Sequence, residues 1–262
     1  SAAWIRQRDR FLAAFAQMES VSDLPRRKQN RRTETPIVQP DAPFENVDDT
    51  DWSLPANRAW IEAVIARWQT YQPEPIPLQI GGELITTPIQ GEGHDPSRPG
   101  LVAYQYALAT AVQVDQALNV AQHAQISWAA RPLTERRACL LQVAAELARQ
   151  RGDLIGTMTL DGGKTVPEAD PEVSEAIDFA RYYAGALDLD EQISDCRMEA
   201  LGVVVVTPPW NFPLAIPAGG VLAALIAGNS VILKPAPEAM LVGWRLAQAF
   251  WQAGIPRHVL QF

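Results

Sequence analysis

The stretch that most constrains this chain is Thr207-Pro208-Pro209-Trp210-Asn211-Phe212-Pro213-Leu214, set between the apolar run Val203–Val206 and a small-residue segment that reads as a helix. A second apolar run, Val231-Ile232-Leu233, follows and ends in Lys234-Pro235. Two apolar runs of strand length separated by a helix predict parallel strands, because a right-handed crossover needs an element between them. Ligands of open α/β sheets collect at the carboxyl ends of such strands, which is where Asn211 and Lys234 fall. The unit therefore reads as half of a nucleotide site. Pro208-Pro209 removes two backbone donors, so the turn cannot be a glycine-rich phosphate nest. Neither GxGxxG nor GxxxxGK[ST] is present, and side chains and helix ends must hold any nucleotide.

Composition narrows the function classes. The 262 residues carry a net charge of -8, which gives no basic face to offset phosphate repulsion and argues against a nucleic-acid partner. The basic cluster Arg26-Arg27-Lys28 with Arg31-Arg32 reads as a solvated linker. Two distant cysteines, Cys139 and Cys196, suit a reducing cytoplasmic setting and fit neither a disulfide scaffold nor a zinc site. His94, His123 and His258 lack metal-ligand spacing, so no metal is expected. No transmembrane segment is expected, because residues 203–225 are broken by four prolines and two glycines.

Apolar spacing predicts a short amphipathic helix over residues 4–19, an extended connector over 21–56, and a helix over Asn57–Thr70. Two short strands about Gly81-Gly82, a Gly/Pro-rich loop over 91–100 and a strand over Leu101–Tyr106 follow. Helices are expected over Ala111–Trp128, Leu133–Gln150 and Asp153–Leu160, then a loop over Asp161–Thr165 and a helix opened by Pro171. Ile193–Met198 reads as an edge strand or arm. From Leu201 the order is strand, helix, strand, helix, strand, ending in Val259–Phe262. Three parallel strands between helices leave apolar surface uncovered, so the sheet is expected to be partial.

Taken singly, Trp210 reads as a packed aromatic, Asn211 as a helix cap and Lys234 as a solvated strand end. In register they carry more. TPPWNFPLAIPAGGVLAALIAGNSVILKPAPEA closely resembles the cofactor segment of the aldehyde dehydrogenase superfamily. AAELARQRGDLIGTMTLDGGKT and DGGKTVPEADPEVSEAIDFARYYAG resemble the two helices before it, so the resemblance covers residues 76–262. It implies an α/β, partial aldehyde-dehydrogenase-like fold with an open, Rossmann-like parallel sheet and flanking helices. It also implies that Asn211 donates to an oxyanion, that Pro208, Pro209 and Trp210 contact the nicotinamide side of NAD, and that Lys234 bonds the adenosine ribose. The family's ribose-binding glutamate falls at Pro237 here, with the acid displaced to Glu238, which leaves both NAD and NADP as candidates. In the implied chemistry a cysteine thiolate adds to an aldehyde, the Asn211 amide stabilises the oxyanion, and a hydride passes to NAD.

FENVDDTDWSLPANRAWIEAVIARW resembles the connector before the aldehyde dehydrogenase module of bifunctional proline-utilisation A flavoenzymes. Residues 1–75 are then a helical and extended linker after an upstream proline dehydrogenase module, and FAD belongs only to that longer parent. The implied substrate is a small aldehyde, L-glutamate γ-semialdehyde, with Glu175 and Phe212 as substrate-side residues. Glu175 reads equally well as a solvent-facing helix acid in a run with Glu172 and Asp178. The complete enzyme is implied to be a homo-oligomer. Cys139 lies in a helix-packing context and Cys196 in the family's arm, so the nucleophile and the base are expected beyond Phe262, and these residues alone are expected not to oxidise aldehydes. A dehydrogenase for another aldehyde and a non-catalytic nucleotide-binding module remain the alternatives.

Overall fold

The structure is a computed structural model that describes residues 2–20, 22, 24–34, 44–186 and 199–262. Its centre is a parallel sheet of β5 (Val203–Val206), β6 (Ser230–Leu233) and β7 (Leu260–Gln261), in the order β5-β6-β7. The register pairs Val206 with Leu233 and Ile232 with Gln261, so the ends of β5 and β6 lie side by side. Helix α7 (Ala215–Ile226) crosses from β5 to β6, and α8 (Met240–Gln252) crosses from β6 to β7. The expected strand–helix alternation and the α/β class are therefore what the chain adopts.

Helices α3 (Ala111–Ala129), α4 (Leu133–Arg149), α5 (Arg151–Gly162) and α6 (Val166–Ala186) build the layers around the sheet. The start of α3 is fixed by a capping box: Thr110 accepts from the Gln113 N–H while the Gln113 side chain answers the Thr110 N–H. Trp128, fully buried near its end, donates from Nε1 to the Leu225 carbonyl at 2.9 Å and locks α3 to the end of α7. On the sheet, Ser230 Oγ and Gln261 Nε2 donate to the α3 carbonyls of Ala121 and Ala117 at 2.8 Å each. One continuous core joins these helices to α2 (Pro55–Gln69) through Ile61, Val64 and Trp68. Gly156 makes the α2–α5 approach possible, since a Cβ there would lie 2.1 Å from the Trp68 ring.

Three expectations need correction. Residues 91–100 do not all form a loop: β3 (Gln90–His94) pairs antiparallel with β4 (Val102–Ala107). Gly91 and Gly93 hid this strand, because they carry no apolar signal. Their bareness admits Tyr106 and Tyr104, whose rings would come within 2.2 and 2.0 Å of an added Cβ. Helix α6 opens at Val166 rather than Pro171, which sits inside it. Thr165 bonds the Glu168 carboxylate through both its N–H and its hydroxyl, so that helix end is satisfied before the proline is reached. Helix α5 runs on through Gly162, so only Gly163–Thr165 remain of the expected loop.

The strands β1 (Leu78–Ile80) and β2 (Glu83–Ile85) form the expected hairpin about Gly81-Gly82. Gln79 exchanges two backbone hydrogen bonds with Phe262, 2.7 and 3.0 Å, which seals the β7 edge of the sheet. At the other edge Val205 is 56% exposed and β5 has no outer partner among the described residues. The first helix, α1 (Ala2–Phe15), buries none of its residues. Ile193–Met198 lies outside the described residues.

The extended connector is anchored by a buried ion pair. Arg151 on α5 donates to Asp170 on α6 at 2.7 Å, and both side chains are almost fully buried. Thr50 of the connector gives Asp170 both its N–H and its hydroxyl, at 2.6 and 2.7 Å. With Ser174 also bonded to Arg151, each charge has its partners, which is the condition under which a buried pair is tolerated.

Candidate active site at the carboxyl edge of the sheet

The loop of residues 207–213 leaves β5 at its carboxyl end and enters α7. Pro208 and Pro209 restrict its first half, and Pro213, buried, restricts its last. The Lys234 N–H donates to the Val206 carbonyl at 3.0 Å, which sets the end of β6 against the root of this loop. Trp210 and Phe212 are 56% and 43% exposed, and Asn211 between them is exposed as well. An amide and two aromatic rings are thus offered outward from a loop with little backbone freedom.

The support behind the loop comes from α6. No side chain of α7's own chain start caps that helix, so the N–H groups of Leu214 and Ala215 would be buried without partners. Glu172 Oε2 accepts both, at 3.1 and 3.2 Å. A carboxylate at a helix N-terminus is favoured by the helix dipole. The other oxygen of Glu172, itself 2% exposed, pairs with Lys164 Nζ. That ammonium also donates to the Asn211 carbonyl at 3.0 Å and lies 4.7 Å from the Phe212 ring centroid. Lys164 is held in turn by Gly163, whose left-handed φ of 63° ends α5, and by its own N–H bond to Met158 O at 3.2 Å.

Lys164 and Glu172 are the residues that sequence reasoning missed. Their positions, in a loop and in a run of helix acids, gave no local signal, because their partners lie 47 and 42 residues away.

Glu175 follows one turn after Glu172 on α6 and is exposed. Burial raises its carboxyl pKa first, the charges of Glu172 and Asp178 add to this, and Lys164 opposes it. It lines a shallow cavity of about 490 Å³ with Asn46, Asp49, Asp178 and Tyr182. Asp178 receives the Asn46 amide at 2.7 Å and the Val47 N–H at 2.8 Å, so the connector forms one wall of that cavity. Glu175 thus lies between the Lys164–Glu172 pair and the connector, and makes no hydrogen bond to the 207–213 loop among the described residues.

On the β6 side, the Lys234 side chain is exposed and makes no ion pair among the described residues. Glu238 stands on the 3-10 turn Pro237–Ala239 that follows, exposed, with its charge raising the Tyr106 hydroxyl pKa secondarily to burial. No hydrogen bond joins Glu238 to Lys234 among the described residues. Beneath this turn, Tyr104 donates to Asp161 at 2.5 Å, Asp161 accepts the Val242 N–H at 3.0 Å, and Tyr104 accepts the Leu241 N–H at 3.1 Å. Burial pushes the Asp161 carboxyl up to about 7. This cluster fixes the start of α8 and hence where the Glu238 turn departs.

No group of three or more metal-ligating side chains occurs among the described residues. Cys139 is half-buried on α4, and burial raises its thiol pKa. Cys196 lies outside the described residues. Among those residues no helix is long and apolar enough to cross a membrane.

A parallel sheet with a side-chain-bearing loop at its carboxyl edge, and no glycine-rich phosphate loop, is an open α/β arrangement whose ligand position is that edge. The chain belongs to the aldehyde dehydrogenase family, whose model matches residues 90–262. It is 31% identical over 230 residues to 1-pyrroline-5-carboxylate dehydrogenase of Staphylococcus epidermidis, covering 84% of this chain and 45% of that protein. Among solved structures it is similar to 1-pyrroline-5-carboxylate dehydrogenase from Thermus with bound NAD, at 32% identity and a TM-score of 0.79, over 84% of this chain and 45% of that one. It matches proline utilization A (PutA) from Bdellovibrio bacteriovorus, inactivated by N-propargylglycine, at 33% identity and the same TM-score, over 84% of this chain and 24% of that one. The chain thus spans about half the length of the curated relatives it matches.

Proposed function

We propose that these residues form the cofactor-side part of an NAD-dependent dehydrogenase that oxidises L-glutamate γ-semialdehyde, the open form of 1-pyrroline-5-carboxylate, to glutamate. The observation that carries this reading is the Asn211 loop, offered outward at the carboxyl edge of β5 and backed by the buried Glu172. The names of the matched dehydrogenases, one of them solved with NAD, point to the same chemistry.

The residues fit a dinucleotide. Lys234 presents an exposed cation to ribose or phosphate oxygens, Glu238 stands on the next turn as an acceptor for ribose hydroxyls, and the exposed Trp210 with Pro208 and Pro209 forms an apolar seat for a flat ring. NAD supplies the hydride acceptor; NADP differs by a phosphate that the nearby Glu238 would disfavour. Asn211 donates its amide to the oxyanion that forms when a thiolate adds to the aldehyde. Cys139, on α4 and with a raised thiol pKa, is not that nucleophile. Glu175 faces the substrate's ammonium group and Phe212 its carbon chain. FAD would serve a fused proline dehydrogenase, as the similarity to proline utilization A allows, with residues 1–75 as the linker. The complete enzyme is proposed to be a homo-oligomer.

A dehydrogenase for a different aldehyde is the second reading, because Glu175 is the only substrate-side charge in the proposal. The test is Glu175→Gln in the intact protein. The account predicts a rise of roughly 10- to 100-fold in KM for the semialdehyde, the cost of one charged hydrogen bond, and little change for a simple aliphatic aldehyde. Equal effects on both substrates would favour the second reading.

A further inference from the structure

Lys164 and Glu172 are not themselves assigned to substrate or cofactor, yet they carry the only side-chain bonds that the described residues make to the backbone of residues 211–215. We propose that Lys164 and Glu172 are positioning residues that orient the Asn211 amide toward the reacting oxygen. The proposal rests on the reading of Asn211 as the oxyanion donor.

Glu172 satisfies two buried N–H groups at the first turn of α7, so the loop's exit cannot shift without stranding them. Its remaining oxygen holds the Lys164 ammonium, which balances a carboxylate otherwise buried without a counter-charge. The same ammonium takes the Asn211 carbonyl at 3.0 Å and lies over the Phe212 ring, so the peptide plane between those two residues is held from one side. The carbonyl direction at Asn211 constrains where its Cα–Cβ bond points, and therefore where the amide donates. Pro208-Pro209 and Pro213 restrain the rest of the loop but leave that plane free. Oxyanion donors act only when aimed at the developing charge, and a misplacement of about 1 Å costs on the order of 100-fold in rate.

The test uses Lys164→Met, Lys164→Arg and Glu172→Gln in the intact protein, read by steady-state kinetics, thermal melts and amide hydrogen exchange. Expected for Lys164→Met is a fall in kcat of about 10- to 100-fold with KM for NAD changed by less than about threefold, largely restored in Lys164→Arg. Expected for Glu172→Gln is faster exchange at Leu214 and Ala215, a readout independent of activity. If no aldehyde is oxidised by the unaltered protein, the functional reading falls while the exchange data still test the clamp. A Lys164→Met protein that melts earlier but keeps its kcat would overturn the proposal, as would unchanged exchange at Leu214 and Ala215 in Glu172→Gln.

Discussion

At the scale of single residues, the site divides into groups that the sequence announces and groups that only the fold brings to it. Asn211 belongs to the first kind, because its neighbours in the chain already define its turn. Replacing it with alanine should lower kcat by about 100- to 1000-fold with the fold intact, as loss of one oxyanion donor does, and steady-state kinetics with a melt will show it. Asp161 belongs to the second. Its carboxyl titrates at about 7 in the folded chain against 3.8 ordinarily, chiefly through burial. Between those values the folded chain keeps a proton that the unfolded chain has released, so stability falls as pH rises, and the loss is complete above about 7. Asp161→Asn cannot ionise there. Its unfolding free energy relative to wild type should therefore climb between about pH 4 and 7, by on the order of 4 kcal/mol at most, in denaturant titrations across that range. A constant offset across that range would contradict the assignment. No local pattern marks Asp161, since its partners come from β4 and from the start of α8.

At the scale of elements, apolar periodicity located nearly every helix and each strand of the parallel sheet to within a few residues. It failed where side chains gave no apolar signal, at Gly91 and Gly93 of β3, and where proline was taken as a start rather than as an interior residue of α6. Thr165 and Glu168 secure the helix start ahead of Pro171, which is why the helix begins before that proline. The clamp on α7 was equally invisible, since the acid lies on another helix. The connector was legible only as extended; its attachment to Asp170 was not. Asp170→Ala should cost about 3–5 kcal/mol in a denaturant titration, because it leaves Arg151 buried and unpaired. A loss below about 1 kcal/mol would mean that the pair does not anchor the connector.

At the scale of the whole molecule, one core runs from α2 to β7, while α1 buries nothing. Phe11→Ala and Phe15→Ala should consequently change stability by no more than about 0.5 kcal/mol, as at other surface positions; larger losses in a denaturant titration would show that α1 packs on the core. The same core holds the β5 and β6 ends in register, which is what brings an amide loop and the exposed Lys234 to one edge. The account's central claim is that this edge serves oxidation of a semialdehyde by NAD. Its most direct test is NADH formation by the intact protein supplied with L-glutamate γ-semialdehyde, compared with its Asn211→Ala form. The account predicts NADH from the wild type and a loss of at least about 100-fold in the variant. NADH formation that survives the substitution, or none with this aldehyde when others are oxidised, would contradict it.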